Sequence, residues 1–187
     1  MGALAGRRIV LGVTGGIAAY KAVEIASRLK KSGADVRVIM TRAATSFVTP
    51  LTFREITGAP VAETMWGEPH HHIEHIALAE FGELVLVAPA TANFIAKAAA
   101  GIADDMLTTS VLATRAPLVI APAMNTGMWE NSVTQENVAR LTARGTTVIP
   151  PAVGQLACGT TGAGRLPEPV EIVRIVEEYF AHGQSLA

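Results

Sequence analysis

The chain alternates apolar runs of strand length with stretches of helical periodicity, and few folds accept that order. RRIVLGV is followed by IAAYKAVEIASRLKKSG, DVRVIM by a second helical region, and ELVLVA by ANFIAKAAAG and MLTTSVLATR. PLVIA then precedes SVTQENVARLTARG and the short run TTVIP. Strands that are apolar almost throughout, joined by helices, need a parallel sheet covered on both faces, because each crossover lays its helix against the sheet. The expectation is an α/β fold of three layers. Gly33 and Gly145 each follow a basic helix end, the position where a helix stops most readily.

Residues 150–169, PPAVGQLACGTTGAGRLPEP, interrupt the alternation with Gly, Pro and Thr. A segment of this length without periodicity reads as a loop that serves as a functional lid. VEIVRIVEEYF after it reads as a closing helix. With 187 residues and no internal repeat, a single domain over 1–187 is expected.

The totals exclude several function classes. The 15 basic and 16 acidic residues include no Lys/Arg run, so the electrostatic footprint of a nucleic-acid partner is absent. The first apolar run is short and broken by glycines, which fits neither a signal peptide nor a membrane span. One cysteine, Cys158, excludes an intramolecular disulfide and fits a reducing compartment, hence the cytoplasm. Hydrophobic residues make up 50% of the chain and charged residues only 17%, a surface poor in charge that implies buried subunit interfaces.

GVTGGIAAYK joins the first strand to the first helix. Glycines there let backbone N–H groups approach an anion at the helix N-terminus, where unsatisfied donors and the helix dipole favour phosphate. A ligand-free tight turn is the plain alternative. The spacing departs from G-x-G-x-x-G, and the second strand ends in IMTR without the acidic residue that holds a dinucleotide ribose. A mononucleotide stays open, with Gly15, Gly16 and Ile17 as backbone donors and Thr41 as a hydroxyl partner. The third long strand ends in APATANF, again polar at the carboxyl end where open α/β sheets bind ligands. Ala92 and Asn93 open the next helix there, and Thr91 or Asn93 serves equally well as a ligand contact or an N-cap.

Three residues are chemically distinctive. GEPHHHIEHIALAE carries four of the five histidines, with His71 and His75 at i,i+4 spacing. A metal face would want a cysteine or carboxylate cluster beside them, so no metal is expected, and His75 is the better acid/base candidate. Cys158 lies in the glycine-rich segment, although a lone cysteine is usually an inert small hydrophobe. In APAMNTGMWEN, Asn125 offers both a donor and an acceptor to a carboxylate or amide. Met124, Met128 and Trp129 around it need cover from a ligand, another subunit or the core itself.

Together, GVTGGIAAYK, the histidine segment, APATAN, PAMNTGMW and ACG followed by GAGR resemble the flavin-dependent cysteine decarboxylases over about residues 9–178. PAMNTGMW is the most specific element. The likeness is strongest to the branch that converts 4'-phosphopantothenoylcysteine to 4'-phosphopantetheine in coenzyme A synthesis. The resemblance implies a flavodoxin-like or Rossmann-like three-layer fold with a parallel sheet, FMN as cofactor, and a small-molecule substrate. It also implies homotrimers or dodecamers with sites at subunit contacts. Carried over, it assigns FMN contacts to Gly15, Gly16, Ile17, Thr41, Thr91, Ala92, Asn93 and Met124. It makes His75 the base, Asn125 the carboxylate binder and Cys158 the proton donor, with Ala157 and Gly159 beside the substrate. The position of Gly16 is a serine in some relatives, which here removes one phosphate hydroxyl. A phosphopantothenate-cysteine ligase domain or protein is the implied partner, and a stand-alone enzyme and one half of a bifunctional protein both stay open. So do decarboxylation of a peptide C-terminal cysteine, flavin prenyl transfer and a non-catalytic flavin-binding regulator.

Overall fold

The structure is a computed structural model that describes residues 2–66, 74–155 and 161–182. In chain order, β1 (Arg8–Val13), α1 (Ala19–Lys31), β2 (Asp35–Met40), α2 (Pro50–Thr57) and β3 (Val61–Ala62) build one half of a sheet and its cover. After α3 (Glu74–Phe81) come β4 (Leu84–Ala90), α4 (Ala92–Ala100), α5 (Met106–Ala113), β5 (Leu118–Pro122), α6 (Thr126–Glu130), α7 (Ser132–Ala143) and β6 (Thr147–Val148). An antiparallel pair follows, β7 (Ala152–Gln155) and β8 (Thr161–Arg165), and α8 (Pro169–His182) lies against α1.

The six-stranded sheet has the order β3-β2-β1-β4-β5-β6, and every pairing in it is parallel. The chain first winds outward from β1 through β2 to β3, then returns to start the other half at β4. The direction of winding therefore reverses between β1 and β4, and a crevice opens outside their carboxyl ends.

Alternation along each strand divides the core in two. Ile9, Leu11 and Val13 of β1, with Leu84, Leu86 and Ala88 of β4, meet α1 and α8 through Ile25, Leu29, Ile172 and Val176. Val10, Val85, Val87 and Ile120 point the other way, to Phe94, Ile95, Met106 and Leu107 of α4 and α5. Strands apolar on both faces are what a sheet covered on both sides requires. The expected three-layer α/β fold follows from this arrangement.

Both predicted helix stops form the same motif. Gly33 and Gly145 have φ of +96° and +90°. The N–H after each bonds back five residues, Ala34 to the Leu29 carbonyl at 3.1 Å and Thr146 to that of Leu141 at 3.0 Å. Within 150–169, expected as an irregular loop, the described residues Ala152–Gln155 and Thr161–Arg165 instead pair as an antiparallel ribbon. The strand pattern was hidden because β8, TGAGR, has few side chains with which to show an alternation.

Candidate active site

A cavity of about 1110 Å³ occupies the crevice at the carboxyl ends of β1, β2, β4 and β5. Its floor is fastened by Thr14, a buried threonine at the end of β1. Its hydroxyl donates to the Pro89 carbonyl at 2.7 Å and accepts the Thr91 N–H at 3.1 Å. One side chain thus ties the two strands across the switch point.

Gly15, Gly16 and Ile17 form one wall, with Thr41 beside them. The Thr41 N–H bonds the Val13 carbonyl at 3.0 Å, and a Cβ on Gly15 would lie 2.4 Å from that of Ala43. Only glycine permits that approach of the two loops. At Gly16 the nearest atom to an added Cβ is Thr91 Cγ2 at 3.9 Å, so a serine fits there. The first turn of α1 has neither a side-chain cap nor an acidic residue, and the N–H groups of Gly16, Ile17 and Ala18 meet no acceptor among the described residues. Open donors at the positive end of a 13-residue helix, beside a cavity, suit a phosphate group.

Thr91, Ala92 and Asn93 line the next wall. Thr91 is also the α4 N-cap, accepting from the Phe94 N–H at 3.4 Å, so the capping alternative and the cavity position coincide in one residue. Met124 and Asn125 close the site at the end of β5. Asn125 caps α6: its Oδ1 accepts the Gly127 N–H at 2.8 Å. A backbone N–H demands an acceptor, so it is the amide oxygen, and not the nitrogen, that makes this bond. Met124 packs partly on the second core, Trp129 is half-buried, and Met128 lines the cavity while 49% exposed.

The ribbon is docked on this corner by its glycines. Gly162 and Gly164 share a face of β8. A Cβ on Gly164 would sit 2.2 Å from the Met124 carbonyl oxygen, and one on Gly162 would sit 2.5 Å from Thr126 Oγ1. The Met124 N–H bonds the Gly164 carbonyl at 2.9 Å, while the buried Thr126 Oγ1 has no hydrogen-bond partner among the described residues.

The cavity does not gather the whole expected catalytic set. His75 is half-buried near the start of α3, which packs on α5 and β1, and it does not line the cavity. Ala157, Cys158, Gly159 and His71 lie outside the described residues. No cluster of three metal-binding side chains occurs among the described residues.

The flavoprotein family model matches residues 2–181. The chain belongs to the flavoprotein family. It is 48% identical over 181 residues to the coenzyme A biosynthesis bifunctional protein CoaBC of Vibrio vulnificus, covering 96% of this chain and 45% of that protein. The chain therefore spans about half the length of the curated relatives it matches. Among solved structures it resembles a PPC decarboxylase mutant complexed with pantothenoylaminoethenethiol, with a TM-score of 0.85 and 30% identity, covering 94% of this chain and 99% of the other. It also resembles the FMN-dependent cysteine decarboxylase SpaF, with a TM-score of 0.78 and 31% identity over 94% and 99% of the two chains.

The flavoprotein's cavity also holds charged residues to which the sequence reading gave no role, although Lys21 and Arg165 end the motifs GVTGGIAAYK and GAGR. Lys21 of α1, 10% exposed in its side chain, bonds Glu168 at 2.9 Å, and Arg165 of β8 bonds the same carboxylate oxygen at 2.8 Å. The Lys21 hydrogen bond is the main cause holding Glu168 below its ordinary pKa, with the Arg165 charge adding to it. Across the cavity Lys97 bonds Asp104 at 2.8 Å and lowers its pKa. The partners Lys21 and Glu168 are 147 positions apart. Only the unusual placement of a lysine within AAYKA, on an otherwise apolar helix face, hinted that it needed one.

Proposed function

We propose that this flavoprotein catalyses FMN-dependent decarboxylation of 4'-phosphopantothenoylcysteine to 4'-phosphopantetheine, a carboxy-lyase step of coenzyme A synthesis. The observation that carries the reading is one cavity, at the switch point, lined by all eight residues expected to contact FMN and by Asn125. Its uncapped helix end suits the FMN phosphate, and its volume exceeds what one small ligand needs, leaving room for substrate beside a cofactor. The PPC decarboxylase and SpaF likenesses support the same chemistry.

Loss of carbon dioxide from an N-acyl cysteine leaves a carbanion beside an amide nitrogen, where nothing stabilises it. Bound FMN supplies the reversible two-electron chemistry that creates an electron sink on the substrate. The chain's residues orient and protonate. The Asn125 amide NH₂ donates to the substrate carboxylate, while its Oδ1 stays fixed by the α6 cap. His75 takes the proton from the substrate thiol at an imidazole nitrogen, and the Cys158 thiol returns a proton to carbon as the product is completed. Ala157 and Gly159 line the substrate beside it.

His75 lies off the cavity of its own chain, which supports a homo-oligomer, trimeric or dodecameric, whose sites take His75 from a neighbouring copy. Ile17, Tyr20 and Met128, exposed by 62%, 60% and 49% at the cavity, are apolar surface such a copy would cover. A phosphopantothenate-cysteine ligase, as a fused domain or separate protein, is the partner this reading entails, since the CoaBC relatives are bifunctional. A cytoplasmic location accompanies it. Among the described residues, no helix is long and apolar enough to cross a membrane.

A second reading is a peptidyl-cysteine decarboxylase, with which the likeness to the cysteine decarboxylase SpaF is compatible. Incubating the FMN-loaded protein with 4'-phosphopantothenoylcysteine and, separately, with a peptide ending in cysteine separates the two. The proposed function requires carbon dioxide loss from the first. Loss from the peptide alone replaces it with the second reading.

A further inference from the structure

We infer that Arg42 recognises a phosphate monoester at the phosphate-loop end of the cavity and makes the site selective for a phosphorylated ligand; this rests on the flavoprotein reading above. Arg42 follows Thr41 at the carboxyl end of β2 and lines the cavity. Its backbone is held against the phosphate loop from both sides. The Thr41 N–H bonds Val13 at 3.0 Å, and Ala43 is the residue that an added Cβ on Gly15 would strike at 2.4 Å. A side chain starting there is anchored beside Gly15.

Charge accounting singles Arg42 out. Every other cation lining the cavity has a carboxylate: Lys21 and Arg165 share Glu168 at 2.9 and 2.8 Å, and Lys97 holds Asp104 at 2.8 Å. Arg42 is exposed and forms no ion pair with any described residue. A phosphate monoester carries about −1.5 to −2 charges at neutral pH. The uncapped end of α1 supplies only about +0.5. A guanidinium adds a full positive charge and a planar fork that fits phosphate oxygens, a geometry lysine does not offer. Two ligands of the proposed reaction carry this group, FMN and 4'-phosphopantothenoylcysteine, and the two arms of the test separate them.

Arg42→Gln and Arg42→Lys should melt as the parent does, since Arg42 is exposed and forms no ion pair with a described residue. In the first arm, FMN and riboflavin are titrated into each protein by flavin fluorescence. Recognition of the cofactor phosphate predicts that Arg42→Gln raises the Kd for FMN roughly tenfold or more, a hydrogen-bonded charge's worth, and leaves that for riboflavin unchanged. In the second arm, KM is compared for 4'-phosphopantothenoylcysteine and its dephosphorylated form. Recognition of the substrate phosphate predicts a rise for the first substrate alone, with kcat kept. In whichever arm responds, Arg42→Lys should recover part of the loss. If Arg42→Gln changes phosphorylated and unphosphorylated ligands alike, or neither, the inference is overturned while the decarboxylase reading stands. If the parent protein binds no FMN, both fall.

Discussion

Asn125 holds two demands in one side chain: its oxygen caps α6 through Gly127, and its amide faces the task proposed for it at the substrate carboxylate. The two can be separated. Asn125→Asp keeps an acceptor for the cap, so the fold and flavin binding should persist, but it sets a like charge against the carboxylate. Carbon dioxide release should fall roughly a hundredfold or more, read by product mass spectrometry, with the flavin spectrum unchanged. Turnover within a few-fold of the parent would remove Asn125 from the carboxylate site. Asn125 could be singled out from the sequence because the methionines and tryptophan around it at a strand end are costly to expose unless something covers them. Arg42 and Glu168 could not, because charged side chains are ordinary on a surface and only the fold brings their neighbours together; for Lys21 the apolar helix face hinted at a partner without naming it.

The ribbon is the element whose chemistry lies in what it lacks. Gly164, at φ +139° and against the Met124 carbonyl, has no room for a side chain. Gly164→Ala should lift β8 from the Met124–Thr126 corner and cut decarboxylation at least tenfold, about the effect of losing one well-placed contact. FMN affinity, set mainly at the far wall, should change little; an Ala variant of parental activity would show that the docked ribbon is dispensable. The other fastening is ionic. Glu168 titrates below its ordinary value of 4.5, so it contributes stability above that pH and loses it as the pH falls through the lowered value. Because Glu168 is half exposed, the contribution is about 1 kcal/mol or less. Glu168→Gln should therefore lower Tm at pH 7, and the gap to the parent should close as the pH falls through the lowered pKa in thermal melts. A gap of constant size would show that the loss is not electrostatic. The four long strands and α1, α4 and α7 were legible in sequence because each buries a recognisable apolar pattern. The ribbon was not, since glycines leave no pattern, nor was β3, only two residues long, whereas the equally short β6 falls within the run TTVIP.

For the whole molecule, the proposed function carries a consequence for assembly: Asn125 lines the cavity and His75 does not, so a site that uses both requires a second copy of the chain. If neighbouring copies exchange histidines, His75→Asn and Asn125→Asp proteins, each inactive, should recover activity when unfolded together and reassembled, because some sites then pair an intact His75 with an intact Asn125. Recovery should be absent when each is reassembled alone; no recovery in the mixture would put both residues of a site on one chain. The claim beneath all of these is that the switch-point cavity binds FMN. It is tested most directly by reconstituting the purified protein with FMN, removing free cofactor and recording the visible absorption of what remains. The account predicts a flavin band amounting to about one FMN per chain, and a colourless protein after reconstitution would contradict it.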